Sequence, residues 1–405
     1  MKILVVGQHY WPENFRINDL VSGFVERGHE VHVLCGQPNY PKGEFFDGYD
    51  SHSVKEEIHE GVKIYRVREI KRGNNSNIRI FLNYMAYPVF SWLHVMKLAK
   101  NNYDRIFIYQ LSPVFMAWAG LKLAKRRHIN TTMYILDPWP QNLYSVINFK
   151  SKLIRKFLYK ASMDNYKKAD KIVTVSEKLR RYIINELDFE EGKVNFIPQC
   201  PEKIYETPVK DEELCKRFEG GFNFVFTGNI SPAQDIDTFV LAAKDVVESG
   251  IKDIRFIFVG DGMSRKDLEN MVKENGLENY FFFEGFHPIE DIPKYTYLAD
   301  VLYASLKSTG AEDFTIPAKV MSYLAAGRPL LVSLQGEIQD IIKEAKCGFA
   351  NNPEDVKALS ENIKRIYNCT EEERKEMGIN AHLCQQEFFE RDKNIDKLLK
   401  IIEQI

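Results

Sequence analysis

Lys2-Ile-Leu-Val-Val-Gly7 is an unbroken apolar run closed by glycine, the pattern of a strand buried on both faces. After a loop, Asn18 to Arg27 sets Leu20, Val21, Phe24 and Val25 on one helical face, and Gly28 stops the helix. Glu30-Val-His-Val-Leu-Cys35 is the next strand. A strand, a helix and a strand at this spacing make a parallel sheet the default. Further strands are expected at 63–67, 105–109, 131–136, 171–175 and 193–197, with helical patterns between most of them.

The pattern then restarts. Phe222-Asn-Phe-Val-Phe-Thr-Gly228 is another apolar run ending in glycine, followed by a helix from about Asp237 to Ser249. Arg255-Phe-Ile-Phe-Val-Gly260 and a helix from Arg265 to Asn275 come next, and strands at 280–284, 301–303 and 329–333 complete the second set. The fold class is therefore α/β, with two Rossmann-like halves. Residues 1–200 form the first and 222–380 the second, and the polar, strandless stretch 201–221 reads as a linker. Residues 381–405 are expected to form a C-terminal helix packing back toward the first half. Ligands are expected between the halves, at the carboxyl ends of the strands.

The chain has 405 residues, 44% hydrophobic and 28% charged, which excludes disordered and collagen-like chains. With 55 basic against 57 acidic residues its formal net charge is −2, so nothing points to nucleic acid. Six cysteines lie scattered with no CxxC pair, the usage of a reduced, cytoplasmic protein. The apolar start is too short for a secretory signal, and no apolar run approaches the ~20 residues that span a bilayer.

Several strand exits carry chemistry. The loop Gly7-Gln-His-Tyr-Trp-Pro-Glu-Asn-Phe-Arg16 offers groups that read a hydroxylated molecule, although an ordinary capped turn would carry similar residues. In Ile135-Leu-Asp-Pro-Trp-Pro-Gln-Asn-Leu143 two prolines stiffen the loop around Trp139 and hold Asp137 at the strand exit, where an acid can accept a hydroxyl proton or bind a sugar. Thr227-Gly-Asn-Ile-Ser-Pro-Ala-Gln-Asp-Ile-Asp237 and Val259-Gly-Asp-Gly262 are glycine turns after strands, the second set's candidates for a phosphate. Glu312-Asp-Phe-Thr-Ile-Pro-Ala-Lys-Val-Met-Ser-Tyr-Leu-Ala-Ala-Gly-Arg-Pro329 reads as an acidic loop, a helix with Thr315 as N-cap and Pro317 near N1, and a glycine stop. Lys319 in the first turn opposes the helix dipole and calls for an anion such as a diphosphate, unless water alone solvates it. No GxGxxG follows either opening strand, which excludes a dinucleotide-dependent dehydrogenase.

Taken together with His9-Tyr-Trp-Pro-Glu-Asn14, Phe196-Ile-Pro-Gln-Cys-Pro-Glu202 and Glu284-Gly-Phe286, these motifs cover nearly the whole chain. In their order and spacing the sequence resembles glycosyltransferase family 4 enzymes of the GT-B fold. Within that family it is similar to bacterial transferases of capsule, O-antigen and exopolysaccharide synthesis, including N-acetylfucosamine transferases. The resemblance implies a retaining enzyme that takes a nucleotide sugar, expected to be UDP-linked, to a polyprenyl-diphosphate-linked or glycan acceptor. It implies donor contacts at Gly228, Asn229, Gln234, Gly260, Asp261, Phe286, Asp313, Thr315, Ile316, Pro317 and Ser322. It also implies acceptor contacts at His9, Asn14, Arg16 and Trp139, and catalytic roles for Asp137, Glu13 and Lys319.

Departures accompany the match. The family's two glutamates eight positions apart fall on Phe314 and Ser322, with Asp313 or Glu312 as replacements for the first. The usual Arg and Lys at the diphosphate fall on Asn229 and Gln234, which leaves Lys319 as the leading charge. No cofactor is implied, and no DxD-type metal motif is evident; Asp211-Glu-Glu213 lies in the linker. Two rival readings are a GT-B nucleotide-sugar 2-epimerase and a non-catalytic partner subunit.

Two stretches suggest a membrane surface, as an enzyme peripheral to the inner face of the membrane would need. Ile80 to Met96 is apolar and aromatic, and Lys150 to Lys171 carries eight basic residues against two acidic ones among apolar side chains. A buried helix and a solvated face would produce the same patterns.

Overall fold

In the computed structural model, residues 1–40, 43–73, 77–146, 151–308 and 314–404 are described. They form two compact units, one of residues 1–198 with 392–405 and one of residues 199–391.

The first unit holds an eight-stranded sheet: β1 (Lys2–Val6), β2 (Glu30–Cys35), β3 (Glu56–His59), β4 (Val62–Arg66), β5 (Arg105–Gln110), β6 (Asn130–Ile135), β7 (Lys171–Thr174) and β8 (Val194–Phe196). Their order is β3-β4-β2-β1-β5-β6-β7-β8, parallel throughout except for the antiparallel pair β3–β4. Ile3, Leu4, Val5 and Val6 are fully buried, as a run apolar on both faces requires at the sheet centre. β3 went unread because Glu56-Glu-Ile-His59 lies at the edge, where charged side chains meet water and discourage pairing with other chains.

The second unit has six parallel strands: β9 (Phe222–Thr227), β10 (Ile254–Val259), β11 (Phe281–Gly285), β12 (Val301–Ser305), β13 (Leu330–Ser333) and β14 (Gly348–Asn351), in the order β11-β10-β9-β12-β13-β14. Alternation divides its core. Phe222, Phe224 and Phe226 join Phe256, Phe258 and Phe239 on one face, while Val225, Ile257 and Val259 pack with Val320 and Leu324 on the other. The Phe226 and Phe258 rings stack at 5.3 Å, and Phe239 meets Phe256 edge-on at 5.1 Å. Burying each such ring contributes roughly 1.5–3 kcal/mol, so the strands that carry the site rest on a stiff aromatic layer.

Two boundaries differ from the sequence reading. Residues 201–221 belong to the second unit, because isolated apolar groups among the charges anchor them. Phe218 is buried edge-on against Phe282 at 5.3 Å, and Arg217 clasps Glu284 with two bonds of 2.7 Å. The C-terminal region is two helices, Glu371–Phe388 in the second unit and Arg391–Glu403 in the first. The last helix lays Ile395 against Gly23, where a Cβ would come within 2.3 Å of it, and Arg27 pairs with Asp392 and Asp396.

Candidate active site

In the second unit, the turns after β9 and β10 lie backbone against backbone. A Cβ on Gly260 would stand 1.9 Å from the Gly228 carbonyl oxygen, and one on Gly262 would stand 2.2 Å from that of Ile230, so only glycine fits either place. This contact also engages amides read as phosphate donors. Gly228 N–H donates to Val259 O at 2.8 Å, Ile230 N–H to Asp261 O at 2.9 Å, and Gly260 N–H to Gly285 O at 2.7 Å. The helix Ile236–Glu248 starts at Asp235, whose buried carboxylate accepts from Thr238 Oγ1 and from the Glu354 amide. Burial raises the Asp235 pKa.

Lys319 lies in the first turn of the helix Ala318–Ala325, and its ammonium would touch a Cβ on Gly228 at 3.6 Å. Nζ donates to Gln234 Oε1 at 2.6 Å and sits 3.6 Å from the centroid of the Phe226 ring. Surrounding protein displaces water from the ammonium, and this desolvation pulls its pKa from 10.5 down to about 7. Pro317 is the N-cap itself, without a side-chain cap bond, so Thr315 lies two residues ahead of the cap rather than on it. Ile316 is buried in the core. Asn229 and Asp261 are exposed, and Phe286, just past β11, is 78% exposed. Glu312 and Asp313 lie outside the described residues.

Sequence reasoning missed Glu202. Its carboxylate accepts the Ser322 hydroxyl at 3.0 Å across 120 residues, bringing an acid to the side of the helix Ala318–Ala325. Its only signal was the place of Pro-Gln-Cys-Pro-Glu202 within the resemblance.

In the first unit, the loop after β1 closes on Glu13. One of its carboxylate oxygens meets His9 Nδ1 at 2.9 Å, and the other accepts the amides of Asn39 and Tyr40 at 2.8 Å each. Glu13 is buried with both oxygens engaged, so it positions His9 rather than facing substrate as expected. Phe15 stacks on His9 at 4.5 Å. Asn14 is exposed and Arg16 is the N-cap of the helix Ile17–Glu26. Behind this loop Glu69 is fully buried beside Gly36, and burial first, then the Glu13 charge, push its pKa well above the carboxylate range.

Asp137 follows β6. Its Oδ2 accepts both the Ser112 amide and the Ser112 hydroxyl at 2.8 Å, and Trp139 Nε1 donates to that same hydroxyl at 2.9 Å. Burial raises the Asp137 pKa, opposed by the bonds from Ser112 and Asn142, which favour the charged form. Trp139, expected on the acceptor surface, is buried edge-on against Phe115 with its indole N–H on the Ser112 hydroxyl.

Each unit thus carries polar groups at the carboxyl ends of its strands. Residues 15–200 match the family described as Glycosyltransferase Family 4, and residues 214–383 match Glycosyl transferases group 1. The chain is a family 4 glycosyltransferase. This transferase is 24% identical to the putative colanic acid biosynthesis glycosyl transferase WcaI of Escherichia coli over 383 residues, 90% of this chain and 92% of the relative. It is 28% identical to the 2-deoxystreptamine glucosyltransferase of Streptomyces kanamyceticus over 206 residues, spanning about half of that relative, 52%, and 49% of this chain. Anabaena Alr3699/HepE, solved in complex with UDP, shares the fold over 100% of both chains, with a TM-score of 0.71 and 14% identity. The transferase therefore has the GT-B fold and relatives in polysaccharide biosynthesis.

Proposed function

We propose that this transferase moves a hexosyl or N-acetylhexosaminyl group from a UDP-sugar to a lipid-linked or glycan acceptor, with retention at the anomeric carbon. The second unit would take the donor. The observation that carries this reading is the Lys319 ammonium held by Gln234 and Phe226 beside Gly228. An ammonium held by a neutral amide and an aromatic ring, and partly stripped of water, complements a pyrophosphate well. Glu202, held by Ser322, would accept from a ribose hydroxyl.

In the reaction, the bond from the sugar C1 to the β-phosphate oxygen breaks and UDP leaves with the electron pair. The acceptor oxygen bonds to C1 on the face that UDP leaves, and its proton passes to the departing phosphate. Negative charge grows on the pyrophosphate, so Lys319 does more for the transition state than for the ground state. Asp137 and His9 in the first unit would orient acceptor hydroxyls. We assign no metal to the reaction and propose that the enzyme works at the inner face of the cell membrane. The solved UDP complex of the Anabaena protein is consistent with the choice of nucleotide.

The test is a mass-spectrometric screen of nucleotide sugars against polyprenyl-diphosphate-linked acceptors. Transfer from a UDP-sugar with the anomeric configuration kept is expected. Conversion of donor to its 2-epimer without acceptor, or no UDP binding by calorimetry, would overturn the proposal.

A further inference from the structure

One helix of the first unit is built inside out. In Asn77–His94, the side facing the protein carries Asn83, Tyr87 and Ser91, all fully buried. Asn83 Nδ2 donates to the Ile70 carbonyl at 2.7 Å, and the Tyr87 hydroxyl donates to the Leu34 carbonyl at 2.8 Å. The opposite side leaves Phe81, Leu82, Val89, Trp92 and Leu93 in water, Phe81 at 63% and Leu93 at 59% exposure. A surface helix normally shows the reverse distribution, and an exposed apolar stripe of this length marks a binding surface.

The stripe has neighbours of matching character. Trp118–Arg127 packs beside it, and beside Trp118–Arg127 in turn packs Lys152–Lys168. At the start of the latter, Leu153 is 80% and Phe157 64% exposed. The three helices carry one, four and six Lys or Arg respectively against a single acid, Asp164, in a chain whose net charge is −2. A cavity of about 680 Å³ opens among them, walled by Val89, Trp92, Leu93, Trp118 and Leu121 and edged by lysines. Lys122 there lies 3.5 Å from the centroid of the Trp92 ring.

We propose that these helices dock on an anionic phospholipid bilayer, and that the cavity receives one hydrocarbon chain while Lys122, Lys125 and Lys168 meet its phosphate. Charge decides the occupant. A rim this basic repels a second copy of itself, whereas long lysines around apolar side chains suit the boundary between headgroups and acyl chains. Among the described residues no helix is long and apolar enough to cross a membrane, so the contact is with the surface. The inference deepens the proposed use of a lipid-linked acceptor, and vesicle binding is read with neither donor nor acceptor present. Its failure and a failure of sugar transfer are thus distinguishable.

The experiment is co-sedimentation of the whole chain with phosphatidylcholine vesicles, with and without about 30 mol% phosphatidylglycerol, at low and high salt. Binding is expected only with the anionic lipid and should weaken with salt. Lys156→Glu and Lys160→Glu should each reduce it about five- to tenfold. Leu93→Ser with Phe157→Ser should reduce it further without lowering the melting temperature, since both side chains are already exposed. Brominated lipid should quench the wild type more than Trp92→Phe. Equal binding to neutral vesicles, no binding at all, wild-type binding by these variants, or self-association abolished by Leu93→Ser would each overturn the proposal.

Discussion

Lys319 gives a hydrogen to Gln234 at 2.6 Å, so the cation is anchored by a neutral amide rather than by an acid. Nothing in that pairing neutralises it, and burial alone sets its pKa near 7. A bound pyrophosphate favours the charged form. UDP binding at about pH 8 should therefore take up a proton, and affinity should fall as pH rises beyond 7. Calorimetry in buffers of different ionisation heat measures the uptake, and none at that pH would count against the arrangement.

The same shift has a stability consequence with a definite sign. The folded-state pKa lies below the 10.5 of a free lysine, so the empty protein gains stability as pH rises from about 7 toward 10.5. Below 7 the cost of the buried charge is present in full. Lys319→Met should raise the melting temperature near neutral pH while weakening UDP binding about ten- to a hundredfold, as loss of a charged hydrogen bond implies. Melting curves and titrations of one preparation check both halves.

Glu202 and Ser322 make a separable prediction. Glu202→Gln should weaken UDP about tenfold and leave inorganic pyrophosphate unaffected, because its proposed partner is the ribose. Lys319→Met should weaken both ligands. Equal losses for both ligands in Glu202→Gln would move that residue away from the sugar.

Asp137→Asn should lower kcat by about a hundredfold or more while changing donor affinity little, if the carboxylate orients the acceptor. Ser112→Ala removes one of the bonds holding the Asp137 pKa down against burial. The acidic limb of the pH–rate profile should then move to higher pH, a displacement that a purely structural role for Ser112 would not produce.

Glu69 is buried and its pKa stands well above the ordinary value, so the folded protein holds a proton that the unfolded chain releases. Its stabilising contribution is complete below the usual carboxylate range and declines as pH rises through the raised pKa. Glu69→Gln should become increasingly stabilising as pH rises above the usual carboxylate range, by about 1–3 kcal/mol once the wild-type carboxyl ionises. Denaturant titrations across pH measure it.

What sequence could reveal followed burial. β1 and β9 were legible because strands covered on both faces must be apolar throughout, whereas β3 and β14 lie at sheet edges and are short. Lys319 was legible because it contradicts its helix dipole, but its desolvation depends on Phe226 and Gln234, which approach from another element. The contact of Glu202 with Ser322 was hidden for the same reason, since it spans 120 positions. Trp139 and Glu13 looked like surface readers because their loops are polar. Only the fold shows one turned inward beneath Ser112 and the other closed over His9.

The return of Arg391–Glu403 to the first unit orders the birth of the molecule. On the ribosome the opening 198 residues emerge long before the helix that seats Ile395 on Gly23, so the Gly23 face must wait uncovered while the other unit is made and folds. A chain cut short near its end would lose the finishing piece of the part synthesised first.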